Sequence, residues 1–180
     1  MSQLLKFGLI LGVICMVATL VLAATYGITK PKIDEQLAME EQEALKAIIT
    51  QADTFSAKTL DGIEYFEAVK GERIVGYCLK VTSSGYNGYI RMIAGIDTSG
   101  VIKGVRVLEQ YETPGLGARI NEIKRGESES WFLRQFAGKT ADTITVKKDI
   151  DAITGATISS KAVADGVSNT VKEFLAKVNR

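Results

Sequence analysis

The longest apolar run of the chain lies near its N-terminus. Residues 7–29 are 23 consecutive positions without a charge, rich in Leu, Val, Ile and Ala. A helix rises about 1.5 Å per residue, so this run can cross a hydrocarbon core of roughly 30 Å. It predicts one transmembrane helix. A cleaved signal peptide ending near Ala23 is the alternative, but its apolar core usually has only about 7–15 residues.

An amphipathic pattern follows the apolar run. Apolar residues recur at helical spacing between Glu, Gln and Lys, at Ile33, Leu37, Leu45, Ile48 and Ile49. One apolar stripe on a polar helix is typical of a helix that packs on one side. We therefore expect a juxtamembrane helix over residues 30–50, either as a stalk or packed onto the following domain.

Alternating and β-branched stretches dominate the centre of the chain. Residues 74–82, 90–97 and 101–108 are separated by Ser-Ser-Gly and Asp-Thr-Ser-Gly, which are typical turn sequences. They predict an antiparallel sheet. A short helix over 129–136 and a returning strand over 143–146 are also expected.

The C-terminal segment has the pattern of a helix. From Ser159 onward, apolar residues recur every three or four positions and form one buried face. The predicted fold is α+β, an antiparallel sheet with flanking helices, preceded by one N-terminal transmembrane helix. The predicted division is a cytoplasmic N-terminus (1–6), the transmembrane helix (7–29), the juxtamembrane helix (30–50) and one globular domain (51–180).

The composition of the chain argues against several kinds of functional site. There are 22 Lys and Arg against 21 Asp and Glu, so no overall positive field favours nucleic acid. Histidine is absent, and the two cysteines are far apart, at Cys15 and Cys78. These facts argue against a metal site, a disulfide framework and a Ser-His-Asp triad. No catalytic residue and no metal ligand is predicted, and any electron transfer needs a bound cofactor.

Residues 151–160 form the candidate site. Four hydroxyls and a glycine stand where the last helix is expected to begin. Helix N-termini present free N–H groups and a positive dipole end, and both favour phosphate. The alternative is helix capping, because Ser and Thr are preferred N-caps.

This segment resembles a known motif. Asp151, Thr154, Gly155, Ala156 and Thr157 fit Asp-x-x-Thr-Gly-Ala-Thr, which is similar to the flavinylation motif of the FMN-binding domain. That domain is shared by the G subunit of the Rnf complex and the C subunit of sodium-pumping NADH:quinone reductase. The resemblance implies that a flavin transferase, using FAD, joins the phosphate of FMN to the Thr157 hydroxyl as a phosphoester.

A second segment resembles the same family. The run Glu112, Thr113, Pro114, Gly115, Leu116, Gly117 is similar to a turn that lies against the flavin in the family. A glycine–tyrosine loop at residues 84–90 is a weaker likeness. It implies that Tyr86 stacks near the ring, although a turn tyrosine that caps the core is the commoner case. The chain departs from the family at Gln110, where relatives often have histidine. This departure affects the expected polar surroundings of the ring and not the expected presence of the flavin.

Other aromatic and basic residues are weaker candidates for the site. Trp131 and Phe136 are aromatic, as residues beside flavins often are, but core positions are commoner for them. Lys80, Arg91 and Lys103 could line a cleft, although charges on strands are usually solvated. We assign no role to these basic residues.

The resemblance implies a function. Because sodium-pumping C subunits are typically longer, the chain is more similar to the Rnf G subunit. An FMN-carrying electron relay is then expected, in a membrane complex that couples ferredoxin and NAD electron transfer to Na⁺ or H⁺ transport. Its expected partners are the other membrane and peripheral subunits and the flavin transferase, and the chain is not expected to be active alone. The family also implies a cytoplasmic N-terminus and an extracytoplasmic flavin domain at the cell (inner) membrane.

Three alternatives remain open. The chain is otherwise the C subunit of a sodium-pumping reductase, a stand-alone membrane flavoprotein, or an assembly and anchoring subunit without redox function. In the last case the Thr-Gly-Ala-Thr run only caps a helix. Asp151 favours the flavin hypothesis, because the motif includes it and a simple cap does not need it.

Overall fold

The fold is taken from a computed structural model that describes residues 3–178. The chain divides into two compact units between Glu40 and Glu41. A single helix, α1 (Gln3–Ile48), begins in the first unit and ends in the second, and Pro31 lies within it without interrupting it. The helix is long and apolar enough to cross a membrane, and none of its most apolar stretch is buried. The apolar side chains there are thus available to lipid rather than to a protein core.

The second unit is built on five antiparallel strands. They are β1 (Thr54–Leu60), β2 (Ile63–Lys70), β3 (Arg73–Ser84), β4 (Tyr89–Ile96) and β5 (Ile102–Gln110). Each strand pairs with its sequence neighbour, in the order β1-β2-β3-β4-β5. The predicted antiparallel sheet is therefore confirmed, and it has two strands, β1 and β2, that the prediction lacked.

Four helical segments follow the sheet. They are a 3₁₀ helix (Gly117–Asn121), α2 (Trp131–Arg134), a second 3₁₀ helix (Ala141–Thr143) and α3 (Thr157–Val178). With α1 and the sheet they give the predicted α+β class. The helix α3 begins two residues earlier than predicted, at Thr157.

The strand predicted over 143–146 is wrong. Thr143 ends the second 3₁₀ helix, and its hydroxyl accepts a hydrogen bond from the Thr140 amide at 3.1 Å. Val146 makes only an isolated bridge to Ile150. The amides of Asp149 and Ile150 both donate to the Thr145 carbonyl, at 2.8 and 3.1 Å. Local turns have thus taken up the backbone groups that a strand would need.

Each face of the sheet carries its own apolar cluster. On one face, α2 and α3 cover a large core that includes Leu79, Met92, Phe132 and Phe174. On the other face, the last turns of α1 bury Leu45 against side chains of β2, β3 and β4. Because both faces are buried, the sheet is a rigid support for the loops at its edge.

Candidate functional site

A cavity of about 460 Å³ opens where the loops beside β3 and β5 meet the start of α3. Its size falls within the ~300–1,000 Å³ typical of small-molecule sites. Ten residues line it: Tyr86, Glu112, Thr113, Leu116, Gly117, Gly155, Ala156, Thr157, Ile158 and Ser159. The two segments singled out in the sequence are therefore brought together in space.

The entrance to α3 is shaped by Ser160 and Gly155. The Ser160 hydroxyl accepts a hydrogen bond from the Ile153 amide at 3.0 Å and donates to the Ala156 carbonyl at 2.9 Å. Gly155 has φ +80, a left-handed conformation that favours glycine. Ser160 thus ties the turn to the helix, and Thr157 stands exposed as the first residue of α3.

The start of α3 also favours an anion. The helix ladder begins with the Ser160 amide, which donates to the Ala156 carbonyl at 3.0 Å. The amides of Thr157, Ile158 and Ser159 precede that bond, as the first amides of any helix do. Together with the positive end of a 22-residue helix, they make the mouth of the cavity suitable for phosphate.

The segment after β5 turns back sharply on itself. The amides of Leu116 and Ala118 donate to the Thr113 carbonyl at 3.1 and 3.2 Å, and Gly115 has φ +76. The turn directs Thr113, Leu116 and Gly117 toward the cavity. Leu116 also lies close to Gly155, since a Cβ on that glycine would be 3.2 Å from Leu116 Cδ2.

Glu112 is a buried acidic side chain in the wall of the cavity. It is only 4% exposed. Its Oε1 accepts a hydrogen bond from the backbone amide of Asn87 at 3.1 Å, and its Oε2 accepts one from the Ser159 hydroxyl. The side chain of Gln110 accepts a hydrogen bond from the Glu112 amide at 2.7 Å. Gln110, the position where the chain departs from the family pattern, therefore supports Glu112.

Eight of the twelve predicted site residues line the cavity, and four do not. Pro114 and Gly115 line a separate, more open hollow of about 420 Å³. Thr154 is exposed in the turn. Asp151 is held through its backbone, whose amide donates to Gln135 Oε1 at 2.8 Å. These four residues shape the loops from outside the cavity.

Sequence reasoning missed two lining residues, Ile158 and Ser159. Both follow Thr157 directly, and the hydroxyl of Ser159 belongs to the hydroxyl cluster at residues 151–160. Only the fold shows that Ser159 faces the cavity wall, at 2% exposure, while Ile158 is 56% exposed at its rim. Ser159 stands four residues before Val163 and so shares the buried face of α3, but that period does not show that its hydroxyl meets Glu112.

The other candidate side chains lie elsewhere. Phe136 is fully buried in the large core, and Trp131 packs against that core. Lys80 pairs with Glu41 at 2.7 Å and Arg91 with Glu109 at 2.8 Å, both beside a second cavity of about 450 Å³. Tyr86 is the aromatic residue that does line the candidate cavity, and it is 71% exposed.

Comparison with known families matches both units. A family model described as FMN-binding domain matches residues 85–172, which contain the whole lining of the cavity. A second, described as RnfG N-terminal region, matches residues 1–48.

Relatives match along nearly the whole chain. A protein of Clostridium ljungdahlii, named as the G subunit of a proton-translocating ferredoxin:NAD(+) oxidoreductase complex, is 32% identical over 91% of this chain and 87% of its own. The G subunit of an ion-translocating oxidoreductase complex in Haemophilus influenzae is 35% identical over 97% and 90%. A Na(+)-translocating counterpart from Acetobacterium woodii is 33% identical over 94% and 90%.

A solved structure shares the fold. It is the crystal structure of the C subunit of Na(+)-translocating NADH-quinone reductase from Parabacteroides distasonis, with a TM-score of 0.51 and 24% identity. The match covers 66% of this chain and 63% of that one. At this identity the likeness concerns the architecture of the sheet and its helices.

Proposed function

Because the chain belongs to the family of G subunits of Rnf-type ion-translocating oxidoreductase complexes, we propose that it is an electron relay whose FMN is held covalently on Thr157. The observation that carries the proposal is the position of Thr157. Its exposed side chain stands at the first turn of α3, on the wall of a cavity inside the segment that matches the FMN-binding domain.

The cavity suits FMN in both of its parts. Leu116, Ala156 and Ile158 offer apolar surface to a flat ring, and Tyr86 offers an aromatic face at the opening. The first amides of α3 suit the phosphate. When bound, FMN supplies the ability to take up and release one or two electrons.

The proposed attachment is a phosphoryl transfer. The Thr157 hydroxyl oxygen forms a bond to the phosphorus of the FMN half of FAD, and the bond from that phosphorus to the AMP half breaks. AMP leaves, and the hydroxyl proton passes to solvent. No electrons are gained or lost, and the flavin transferase is the partner that supplies FAD. The bond fixes the cofactor in place without touching its ring.

Capping does not compete for this hydroxyl. Ser160 already ties the turn of residues 153–156 to the helix. Within residues 3–178, the side-chain hydrogen bonds include none from Thr157. A threonine at a helix start that takes no part in capping supports a role in attachment.

The wider role rests on the relatives. Their names describe subunits of complexes that move protons or sodium ions and connect ferredoxin with NAD(+). We infer that this chain passes electrons between other subunits of such a complex and has no substrate of its own. Residues 7–29 would cross the membrane from a cytoplasmic segment 1–6, residues 30–50 would lead out of it, and residues 51–180 would carry the flavin outside the cytoplasm.

The test is covalent flavin on the full-length chain. The protein is produced with and without a flavin transferase in a membrane-bearing host, denatured, and examined for flavin fluorescence in the gel. Peptide mass then locates FMN. Thr157→Ala should abolish the signal, and Thr157→Ser, which keeps a hydroxyl, should retain it. Thr170→Ala, a threonine further along α3, is the matched control and should carry wild-type flavin.

Each outcome decides the proposal. Covalent FMN that disappears only in Thr157→Ala supports it. Covalent FMN on another residue would move the attachment site, and a wild-type chain without flavin, made beside an active transferase, would favour an assembly subunit. Reduction of the bound flavin by the isolated native complex, and loss of that reduction in Thr157→Ala, tests the relay.

A further inference from the structure

Two glycines make room for Glu112, Gly85 in the glycine–tyrosine loop and Gly117 in the turn after β5. A Cβ added to Gly85 would overlap Glu112 Oε1. A Cβ on Gly117 would lie 2.5 Å from Glu112 Oε2 and 2.6 Å from Ser159 Oγ. Neither glycine has a positive φ, so a left-handed backbone is not the reason for a glycine at either position. At both positions the side chain of Glu112 occupies the space that a Cβ would need.

The same carboxylate joins segments far apart in the sequence. Through the Asn87 amide it holds the loop of residues 85–88, and through the Ser159 hydroxyl it holds the first turn of α3, 47 residues away. Its own backbone is fixed by Gln110. A buried carboxylate is stable only when donors satisfy it, and hydrogen bonds to a charged group are stronger than neutral ones.

We propose that Glu112 is a positioning residue: its hydrogen bonds to Ser159 and Asn87 form the FMN cavity before the cofactor arrives, and present Thr157 for attachment. This inference rests on the proposed function. Thr157 and Ser159 lie on the same turn of α3, so fixing the buried Ser159 also fixes the exposed Thr157. The residue acts through its neighbours and need not touch the flavin.

The alternative is that the pair only stabilises the fold. Ser168 provides a matched comparison in the same helix, because it is also buried, at 7% exposure, and its hydroxyl donates to the Ala141 carbonyl at 2.7 Å. That bond lies outside the cavity. Ser159→Ala and Ser168→Ala therefore both remove one buried hydroxyl hydrogen bond, and only the first removes one to Glu112.

The experiment compares these variants as full-length proteins in detergent, without flavin. Hydrogen exchange is followed in peptides covering residues 85–88 and 113–117, and thermal midpoints are recorded. The initial rate of FMN attachment is then measured with limiting transferase, per folded chain. Ser159→Ala should speed exchange in both loops and slow attachment, each about tenfold or more, as expected for the loss of a hydrogen bond to a charged group. Ser168→Ala should leave both within twofold.

Variants of Glu112 itself give a graded series. Glu112→Ala should slow attachment most, because Asn87 and Ser159 both lose their acceptor. Glu112→Gln has nearly the same shape as the wild type but keeps only one acceptor oxygen, so it should recover part of the rate. A purely steric role of Glu112 would instead predict full recovery. Equal attachment by Ser159→Ala and Ser168→Ala at equal folded fraction would overturn the inference. If the wild-type chain takes up no FMN, the proposed function fails, and the exchange comparison alone decides whether Glu112 holds the loops.

Discussion

Ile48, the last residue of α1, lies directly on Gly95 in β4, where a Cβ would overlap Ile48 Cγ2. Gly104, the partner of Gly95 on β5, is also close, since its Cβ would be 3.7 Å from the same methyl group. On β3, a Cβ on Gly76 would lie 2.9 Å from Ile49 Cδ1. Three glycines on neighbouring strands thus form a shallow groove for the end of α1.

Gly95→Ala should therefore destabilise the domain. The added methyl group must displace Ile48, and overpacking of this kind costs roughly 1–3 kcal/mol. Thermal unfolding of the full-length protein in detergent should show a lower midpoint. Gly104→Ala is the matched control on the adjacent strand, where a Cβ makes an ordinary contact, and it should change the midpoint little. Equal effects of the two variants would contradict the groove.

Gly155→Ala tests the wall of the flavin cavity. Gly155 has φ +80, and an L-residue in that conformation costs about 1–2 kcal/mol. A methyl group there would also press on Leu116 Cδ2 at 3.2 Å. We expect a lower thermal midpoint and less covalent FMN per folded chain, measured by absorbance after denaturation.

The matched control for Gly155 is Gly138. Its φ is also +80, but a Cβ there would meet nothing within 4 Å. Gly138→Ala should lose similar stability through the same backbone strain, and keep full FMN content. If both variants lose FMN equally, the effect comes from unfolding and not from the cavity.

Much of the fold followed from local pattern. The apolar run is marked by its length without a charge, and the three central strands and the last helix by their local residue patterns; the structure contains all of them. The missed strands β1 and β2 had a signal as well. They are joined by Asp61 and Gly62, with φ 45 and +88, and Asp-Gly is a typical hairpin turn. The strand wrongly predicted at 143–146 was lost to side-chain and backbone turns, which apolar patterns do not report.

The site was only partly predictable. The motif residues around Thr157 are contiguous in the sequence, so resemblance could find them. Contacts such as Ser159 with Glu112 join positions 47 residues apart and depend on how α3 docks. No local pattern encodes that docking. The roles of Gly85 and Gly117 became apparent only when the carboxylate between them was located.

Asp97 should make stability depend on pH in acid. Partial burial alone would raise the pKa of its carboxyl, but hydrogen bonds from Ser99, Lys103 and the Val101 amide outweigh burial and lower the pKa to about 2. The ordinary value is 3.8. Since the folded pKa is the lower one, this stabilisation is complete above about pH 4 and is lost as the pH falls toward 2.

The matched variant for this effect is Asp97→Asn, which cannot ionise. The difference in thermal midpoint between wild type and Asp97→Asn should be largest near pH 7 and should shrink below about pH 4. A difference that stays constant from pH 7 to pH 3 would show that the ionised carboxylate contributes nothing beyond its shape.

The two native cysteines should not react with charged thiol reagents in the folded, membrane-embedded protein. Cys78 is fully buried between β2 and β4, and burial raises the pKa of its thiol to about 12. Thiols react as thiolates, so Cys78 should label only after denaturation. Cys15 lies within the apolar run of α1, where lipid would exclude a charged reagent.

Because the native cysteines should not react, the proposed topology can be tested with single introduced cysteines. Glu72 is exposed in the turn between β2 and β3, and Gln3 is exposed at the start of α1. With a membrane-impermeant maleimide, Glu72→Cys should label in cells whose inner membrane is intact, and Gln3→Cys only after that membrane is opened. Wild type should not label in either case. The reverse labelling pattern would put the flavin domain in the cytoplasm. The charges in the sequence do not decide between the two orientations, because lysines lie near both ends of the apolar run.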